Sequence, residues 1–173
     1  MKNFKDKRKI QSGRSMIEML GVLAIVGVLS AGGIAGYSMA MQSHKTNTLI
    51  EKIQLISLIT RNVCKGNYTN ISKDTLINTG KLKAADFQNP FGGTLSVVAW
   101  SDTDYFYING NGIPADPCVE IVQTDWGSSG VYWGVSVYGK ANFSYQYGGL
   151  PVSTSDAINT CKSGNNDISL IFK

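Results

Sequence analysis

This chain of 173 residues contains few histidines and prolines, and its charged side chains are unevenly distributed. A Ser-His-Asp triad or a histidine-rich zinc site would have to be built around the single histidine, His44. None of the four prolines lies in residues 16–66, so nothing interrupts a long helix there. Residues 19–41 contain no charged side chain. These absences argue against an ordinary enzyme, and we identify no catalytic residue, no metal site and no cofactor site.

The net charge of +4 is confined to the start of the chain. Residues 1–13 hold five lysine or arginine side chains and one aspartate, whereas residues 14–173 hold 11 basic and 11 acidic side chains. The main body therefore gives no electrostatic case for specific nucleic-acid binding. A basic segment in front of an apolar run is instead the arrangement that keeps an N-terminus on the cytoplasmic side of a membrane.

Residues 16–41 have the composition of a helix that is apolar on every side. Its uncharged part would extend about 35 Å, enough to cross a hydrocarbon core of about 30 Å. The helical pattern continues beyond His44, because apolar residues at 49, 53, 56, 59 and 63 form one stripe. We expect one helix that continues to about Gly66, with its first half among lipids or other helices and its second half against a globular head.

After residue 66 the pattern changes to a loop-rich connector, with a short helix expected at Lys73–Asn78, and then to β-rich runs. The expected strands are Leu95–Trp100, Tyr105–Asn109, Val119–Thr124, Val131–Tyr138, Asn142–Tyr147 and Ile168–Phe172. Turn-forming residues lie between these runs in NPFGG (89–93), NGNG (109–112) and GSSG (127–130). The pattern predicts an α+β fold in which the amphipathic half of the helix covers an antiparallel sheet.

Glu18 is a carboxylate near the start of the apolar run. A carboxylate costs several kcal/mol at the centre of a bilayer and less near the interface, and such residues usually have a function. One interpretation of the N-terminus is a conventional signal peptide that is cut after GIA, residues 33–35. That cut would discard Glu18 and would interrupt the helical pattern, so a second interpretation is needed.

The string GRSMIE at residues 13–18, followed by the uncharged run, resembles the leader and first helix of type IV pilins. The resemblance implies the type IV pilin fold, a long N-terminal helix packed on a C-terminal antiparallel sheet. It also implies that a prepilin peptidase cuts between Gly13 and Arg14, that the new Arg14 amine is N-methylated, and that Glu18 takes part in filament assembly. Arg14 departs from the phenylalanine or methionine that the family usually has after the cut.

Further features resemble the type IVb branch, which includes bundle-forming and conjugative thin-pilus pilins. They are NPFGG at 89–93, the pair Cys118 and Cys161, and the closing SLIFK. Three cysteines allow three pairings, and the resemblance implies a disulfide between Cys118 and Cys161 that leaves Cys64 free. The implied organisation has four segments. They are a basic leader (1–13), a transmembrane or filament-core half of the helix (14–41), an amphipathic half (42–66) and an α+β head (67–173).

The function that the resemblance implies is structural. The subunit would be a precursor in the bacterial inner membrane and would polymerise into an extracellular pilus for adhesion, aggregation, conjugation or DNA uptake. The implied partners are other copies of the chain, the prepilin peptidase, the pilus assembly ATPase and its platform protein. A type II secretion pseudopilin and a minor pilin are alternatives with the same N-terminus, and a membrane-anchored or secreted binding protein is an alternative of another class.

Overall fold

The structure is a computed structural model that describes residues 6–100, 104–127, 130–137, 141–144, 146 and 148–173. Its first element, α1, is one uninterrupted helix from Asp6 to Cys64. The helix ends where Lys65 and Gly66 take positive φ angles of 50° and 89°, a conformation typical of helix C-termini. The expected long helix is present, and it begins earlier than the apolar pattern indicated, within the basic segment. The chain divides into two compact units, Met1–Gln42 and Ser43–Lys173.

In the second unit, α1 buries one face in the head. Leu49, Ile53 and Ile56 are at most 2% exposed and belong to the same hydrophobic core as the strands. Their spacing of three and four residues places them on one side of the helix. Burial extends to Thr46 and Thr60, whose hydroxyl groups the apolar pattern did not single out. Three residues of the expected apolar stripe are therefore buried, and the other two, Ile59 and Val63, are half-buried against the same core.

The described strands form one antiparallel sheet in the order β1-β2-β5-β3-β4. They are β1 Leu95–Ala99, β2 Phe106–Ile113, β3 Tyr132–Val137, β4 Ala141–Ser144 and β5 Asn166–Phe172. The last strand in the sequence, β5, is central and pairs with β2 on one side and β3 on the other. Each strand overlaps one of the expected runs. Tyr138, Tyr145 and Tyr147, which those runs included, lie outside the described residues.

The inner face of the sheet carries a cluster of buried aromatic rings. Phe106 and Phe172 stack with their centroids 5.6 Å apart, Tyr68 lies 4.6 Å from Phe106, and Tyr132 lies 5.7 Å from Phe172. Trp126 meets Phe172 edge-on at 6.3 Å. Such tilted and offset arrangements contribute to stability beyond the burial of area. The rings thus connect strands β2, β3 and β5 with the segments that contain Tyr68 and Trp126.

Lys52 connects α1 to the segment that precedes the sheet. Its amine donates hydrogen bonds of 2.9 Å to the backbone carbonyls of Ala85 and Gln88. These carbonyls lie at the end of a short 3₁₀ helix, Ala84–Phe87, where the exposed carbonyl groups carry partial negative charge. The charged donor therefore holds the connector against α1. Upstream of it, the expected helix Lys73–Asn78 is present as α2.

The NPFGG segment forms the turn that leads into β1. The Asn89 amide donates to the Gly93 carbonyl, and the Gly92 amide donates to the Asn89 carbonyl, both at 2.9 Å. The Asn89 side chain reaches across to the backbone carbonyl of Asn111 at 2.7 Å. A Cβ atom at Gly93 would collide with that same Asn111 carbonyl oxygen. Glycine is therefore required here because the turn approaches β2 so closely.

The expected strand at Val119–Thr124 is wrong. These residues belong to helix α3, Ala115–Gln123, and to the cap that follows it. Pro114 precedes the helix, a place where the missing proline N–H is not needed. The buried positions of α3 share one helical side: Pro117, Cys118, Ile121 and Val122. A short apolar run does not by its periodicity distinguish a strand from a buried helix, which explains the error.

The expected turn at residues 109–112 is also wrong, because NGNG lies within β2. The pairing of β2 with β5 shifts its register between Gly110 and Ile113. Gly112 has a φ of +71° there, which glycine adopts without strain. The glycines therefore form an irregularity inside a strand and not a chain reversal. Ser128 and Ser129 of the GSSG segment lie outside the described residues.

A disulfide joins Cys118 of α3 to Cys161, the residue after helix α4 (Thr154–Thr160), with 5.7 Å between the Cα atoms. This is the pair that the resemblance implied. Cys64 is a free, half-buried thiol. Burial raises the pKa of the Cys64 thiol, which disfavours the reactive thiolate.

Replacing both Cys118 and Cys161 with serine is expected to lower the free energy of unfolding by about 3–4 kcal/mol, because the bond closes a long loop of the unfolded chain. The measurement is denaturant unfolding of the full chain in detergent, followed by circular dichroism. Cys64→Ser is the matched control, since it removes a thiol without opening a loop. Equal unfolding midpoints for the double variant and the wild type would contradict a stabilising role for the bond.

Candidate functional site

The candidate site is the apolar half of α1, residues 16–41. Every residue from Met16 to Met41 is exposed. The large apolar side chains from Met16 to Met39 are between 52% and 75% exposed. An 18-residue window of this helix has a mean hydropathy of 2.1, and by length and composition the helix is able to cross a membrane. So large an apolar surface marks a site of contact with lipid or with other protein chains.

Glu18 lies at the start of this surface and is itself exposed. At 3.6 residues per turn, Gly21, Gly32 and Gly36 lie within about 60° of Glu18 around the helix axis. Gly27 lies on the opposite side. The helix thus has one side on which a carboxylate is followed by glycines, and a neighbouring helix is able to approach that side closely.

The glycines of this run are not required by contacts within the described part of the chain. A Cβ atom built at Gly21, Gly27, Gly32, Gly33 or Gly36 would meet nothing within 4 Å. All five lie inside α1, where each costs about 1 kcal/mol relative to alanine. The glycines therefore either allow contacts with molecules outside the single chain or weaken the helix locally.

The bond between Gly13 and Arg14 lies within α1, which begins at Asp6. The backbone is helical on both sides of this bond, and the Arg14 side chain lies outside the described residues. Arg14 and Glu18 are four positions apart, a rise of about 6 Å, which places them on the same side of the helix. The structure thus puts a carboxylate close to the position where a cut after Gly13 would create an amine.

The head contains a set of surface residues that the sequence analysis did not single out. Trp100, Tyr105, Tyr107 and Trp133 form a half-buried aromatic cluster. The alternation of side chains along β2 could have revealed this cluster, because Phe106 faces the core and its neighbours Tyr105 and Tyr107 therefore face outward.

In the described part of the chain, no group of three or more histidine, cysteine, aspartate or glutamate side chains could hold a metal ion.

A long N-terminal helix that leads into an antiparallel sheet defines the class of protein. The crystal structure of TcpA, a type IV pilin from Vibrio cholerae El Tor biotype, has the same fold. The TM-score is 0.57, and the match covers 74% of this chain and 98% of the other at 12% sequence identity. The fold is therefore the type IV pilin fold, as the resemblance implied.

The family follows from the sequence. Residues 38–171 match the family model described as bundlin, so the chain belongs to the bundlin family and is a type IVb pilin. It is 25% identical over 148 residues to the major structural subunit of the bundle-forming pilus of Escherichia coli O127:H6, with 79% of this chain and 77% of that protein covered. It is also 31% identical over 99 residues to the toxin coregulated pilin of Vibrio cholerae, with 51% and 44% covered.

Gly32→Leu is expected to weaken self-association of the helix at least tenfold, because the larger side chain stands where a neighbouring helix would approach the Glu18 side. The measurement is energy transfer between labelled full-length chains in lipid bilayers. Gly27→Leu is the matched control on the opposite side of the helix, and neither substitution meets an obstacle within the chain. An equal effect of both substitutions would show that the Glu18 side is not the preferred contact.

Proposed function

We propose that the chain is the major structural subunit of a type IV pilus and that it polymerises through the apolar half of α1. The leader (1–13) stays on the cytoplasmic side until the prepilin peptidase removes it. Residues 14–41 then form the filament core, residues 42–66 pack on the head, and the head (67–173) forms the filament surface. The observation that carries this proposal is the exposed apolar surface from Met16 to Met41, together with membership of the bundlin family.

Glu18 sets the register between neighbouring helices in this proposal. Apolar contacts alone would allow one helix to slide along another, since one apolar residue replaces the next at little cost. A carboxylate buried in the filament core must instead be paired, and the amine of Arg14 from a neighbouring copy is the partner that cleavage supplies. Breaking such a buried pair costs about 3–5 kcal/mol, enough to select one axial position.

The local structure at Gly13 supports cleavage at this position. A peptidase requires an opened backbone, and α1 is helical from Asp6 onward. Glycine destabilises a helix interior by about 1 kcal/mol relative to alanine, so the helix opens more readily at Gly13 than at its neighbours. The basic leader holds this segment near the cytoplasmic surface, where the peptidase, the assembly ATPase and the platform protein act. Adhesion, aggregation, conjugation and DNA uptake are all open to the resulting filament.

The subunit recovered from filaments is expected to begin at Arg14, with its amine carrying one methyl group. The measurement is mass spectrometry of the N-terminal peptide from sheared surface filaments. Gly13→Val is expected to leave the leader attached and to abolish filaments, because a β-branched side chain replaces the glycine at the cut. Ser12→Ala is the matched control one residue away. A first residue near Ala35, or an uncut chain in filaments, would contradict the proposal.

Glu18→Gln is expected to reduce filament formation at least a hundredfold, because the Arg14 amine of the neighbouring copy would then be buried without a counter-charge. Electron microscopy counts of surface filaments, normalised to subunit in the membrane, give the measurement. Glu51→Gln is the matched control, since Glu51 is an exposed carboxylate of the same helix. Normal filament numbers with Glu18→Gln would overturn the register role while leaving the apolar contacts in place.

A further inference from the structure

Four aromatic side chains cluster on the outer face of the sheet. Trp100 follows β1, Tyr105 precedes β2, and Tyr107 and Trp133 lie in β2 and β3. The Trp100 ring stacks on Tyr107 with 5.1 Å between centroids and meets Trp133 edge-on at 5.2 Å. All four are half-buried, in contrast to the buried rings of the inner face. The outer cluster therefore keeps aromatic surface in contact with solvent.

This aromatic cluster lines a groove of about 470 Å³. Ser136, Asn142, Gln146 and Ser169 line the same groove with hydroxyl and amide groups. The volume is within the range of small-molecule binding sites. None of the described lining residues carries a charge. Lys173 lies over the Tyr105 ring at 5.6 Å but is not a lining residue.

A row of small polar side chains crosses the same face of the sheet. Strand register pairs Ser96 with Asn109, Asn109 with Ser169, Ser169 with Ser136, and Ser136 with Asn142. The row thus contains one residue from each of the five strands. Each of these residues is half-buried or exposed, so their polar groups remain accessible.

A second groove adjoins the first. It has a volume of about 360 Å³, and its lining includes Ser96, Asn109 and Asp167. Both grooves are lined by Ser169, so they meet on the central strand β5. A ligand that fills both must therefore be elongated and must contact polar groups along much of its length.

The chemistry of the two grooves selects the class of ligand. Aromatic faces carry partial negative charge and attract the C–H groups of a ligand, while hydroxyl and amide groups both donate and accept hydrogen bonds. A chain of neutral sugars offers both kinds of surface. Nucleic acid is disfavoured because its phosphates require lysine or arginine, and the described lining has neither. A peptide that binds by strand addition would bind at a sheet edge, whereas these grooves lie on a face.

We propose that the outer face of the sheet binds a neutral oligosaccharide chain, whose pyranose rings stack on the aromatic cluster and whose hydroxyl groups bind the polar row. The two grooves together accommodate several sugar units. This proposal adds a ligand to the filament subunit proposed above, but it depends on neither cleavage nor polymerisation, because all of the residues involved belong to the head.

The first test uses the full chain in detergent micelles on an array of immobilised linear hexose oligomers, namely β-1,4-glucan, α-1,4-glucan and β-1,4-N-acetylglucosamine chains. The strongest ligand is then titrated while tryptophan fluorescence is followed. We expect a six-sugar oligomer to bind at least tenfold more tightly than its monosaccharide, because only the oligomer occupies both grooves. Equal affinity of the two would overturn the proposal of a chain-binding site.

Variants separate the two grooves. Trp133→Ala is expected to weaken oligomer binding at least tenfold, and Asn142→Ala, at an exposed position, about threefold. Asn109→Ala is expected to weaken binding of the long oligomer and to leave a two-sugar ligand unaffected, since Asn109 lines the second groove. Trp126→Phe is the matched control, because it removes a buried hydrogen bond to the Ile121 carbonyl from the opposite face and should leave binding unchanged.

Three results would overturn the proposal: no binding of any oligomer at millimolar concentration, binding that Trp133→Ala and Asn142→Ala leave unchanged, or displacement of the oligomer by a proline-rich peptide of higher affinity. Protection of Trp133 from a soluble quencher on polymerisation would show that a second copy of the chain fills the groove, which also overturns it. Because the binding assay uses unassembled chain, a failure of filament formation does not affect its outcome.

Discussion

The main physical constraint on this protein is that the apolar half of α1 has to be covered by lipid or by other protein chains. The side chains of residues 16–41 are exposed in the single chain. In the function proposed above, lipid would satisfy that need in the membrane, and other copies of the same helix would satisfy it in a filament. Because hydrophobic contacts are non-directional, they supply cohesion without specifying one arrangement. A polar element is therefore needed to choose among the many ways in which such helices could pack, and Glu18 is the charged residue inside the described apolar surface.

The head, in contrast, has a hydrophobic core of its own, to which the second half of α1 contributes. The stripe at Leu49, Ile53 and Ile56 makes the second half of the helix part of the head core, and Lys52 adds two hydrogen bonds to the connector. The disulfide links α3 to the end of α4 beyond the sheet. The head is thus held by burial on the inner face of its sheet, while the outer face carries half-buried polar and aromatic side chains.

Periodicity predicted most of the architecture, and its failures have a common cause. The long helix, the short helix at Lys73–Asn78 and the five strands follow patterns that persist over several residues. The segment at 119–124 is too short for its period to be read, and β-branched residues in it favoured the wrong element. The glycines at 110 and 112 were read as a turn because their composition fits both a reversal and a bulge. The aromatic cluster was missed because alternation separates two faces without telling which face is covered.

The distribution of charge relates the basic segment 1–13 to Glu18. Residues 1–13 hold the whole net charge of +4, so their removal would leave a chain with 11 basic and 11 acidic side chains. A filament of such subunits would pack many copies without the repulsion that a net charge on each would add. The same cut would replace the basic segment with a new amine at Arg14, about 6 Å along the helix axis from Glu18. In the proposed function, removal of the leader would thus abolish the charge that orients the precursor and create an amine that the Glu18 carboxylate of a neighbouring copy could pair with.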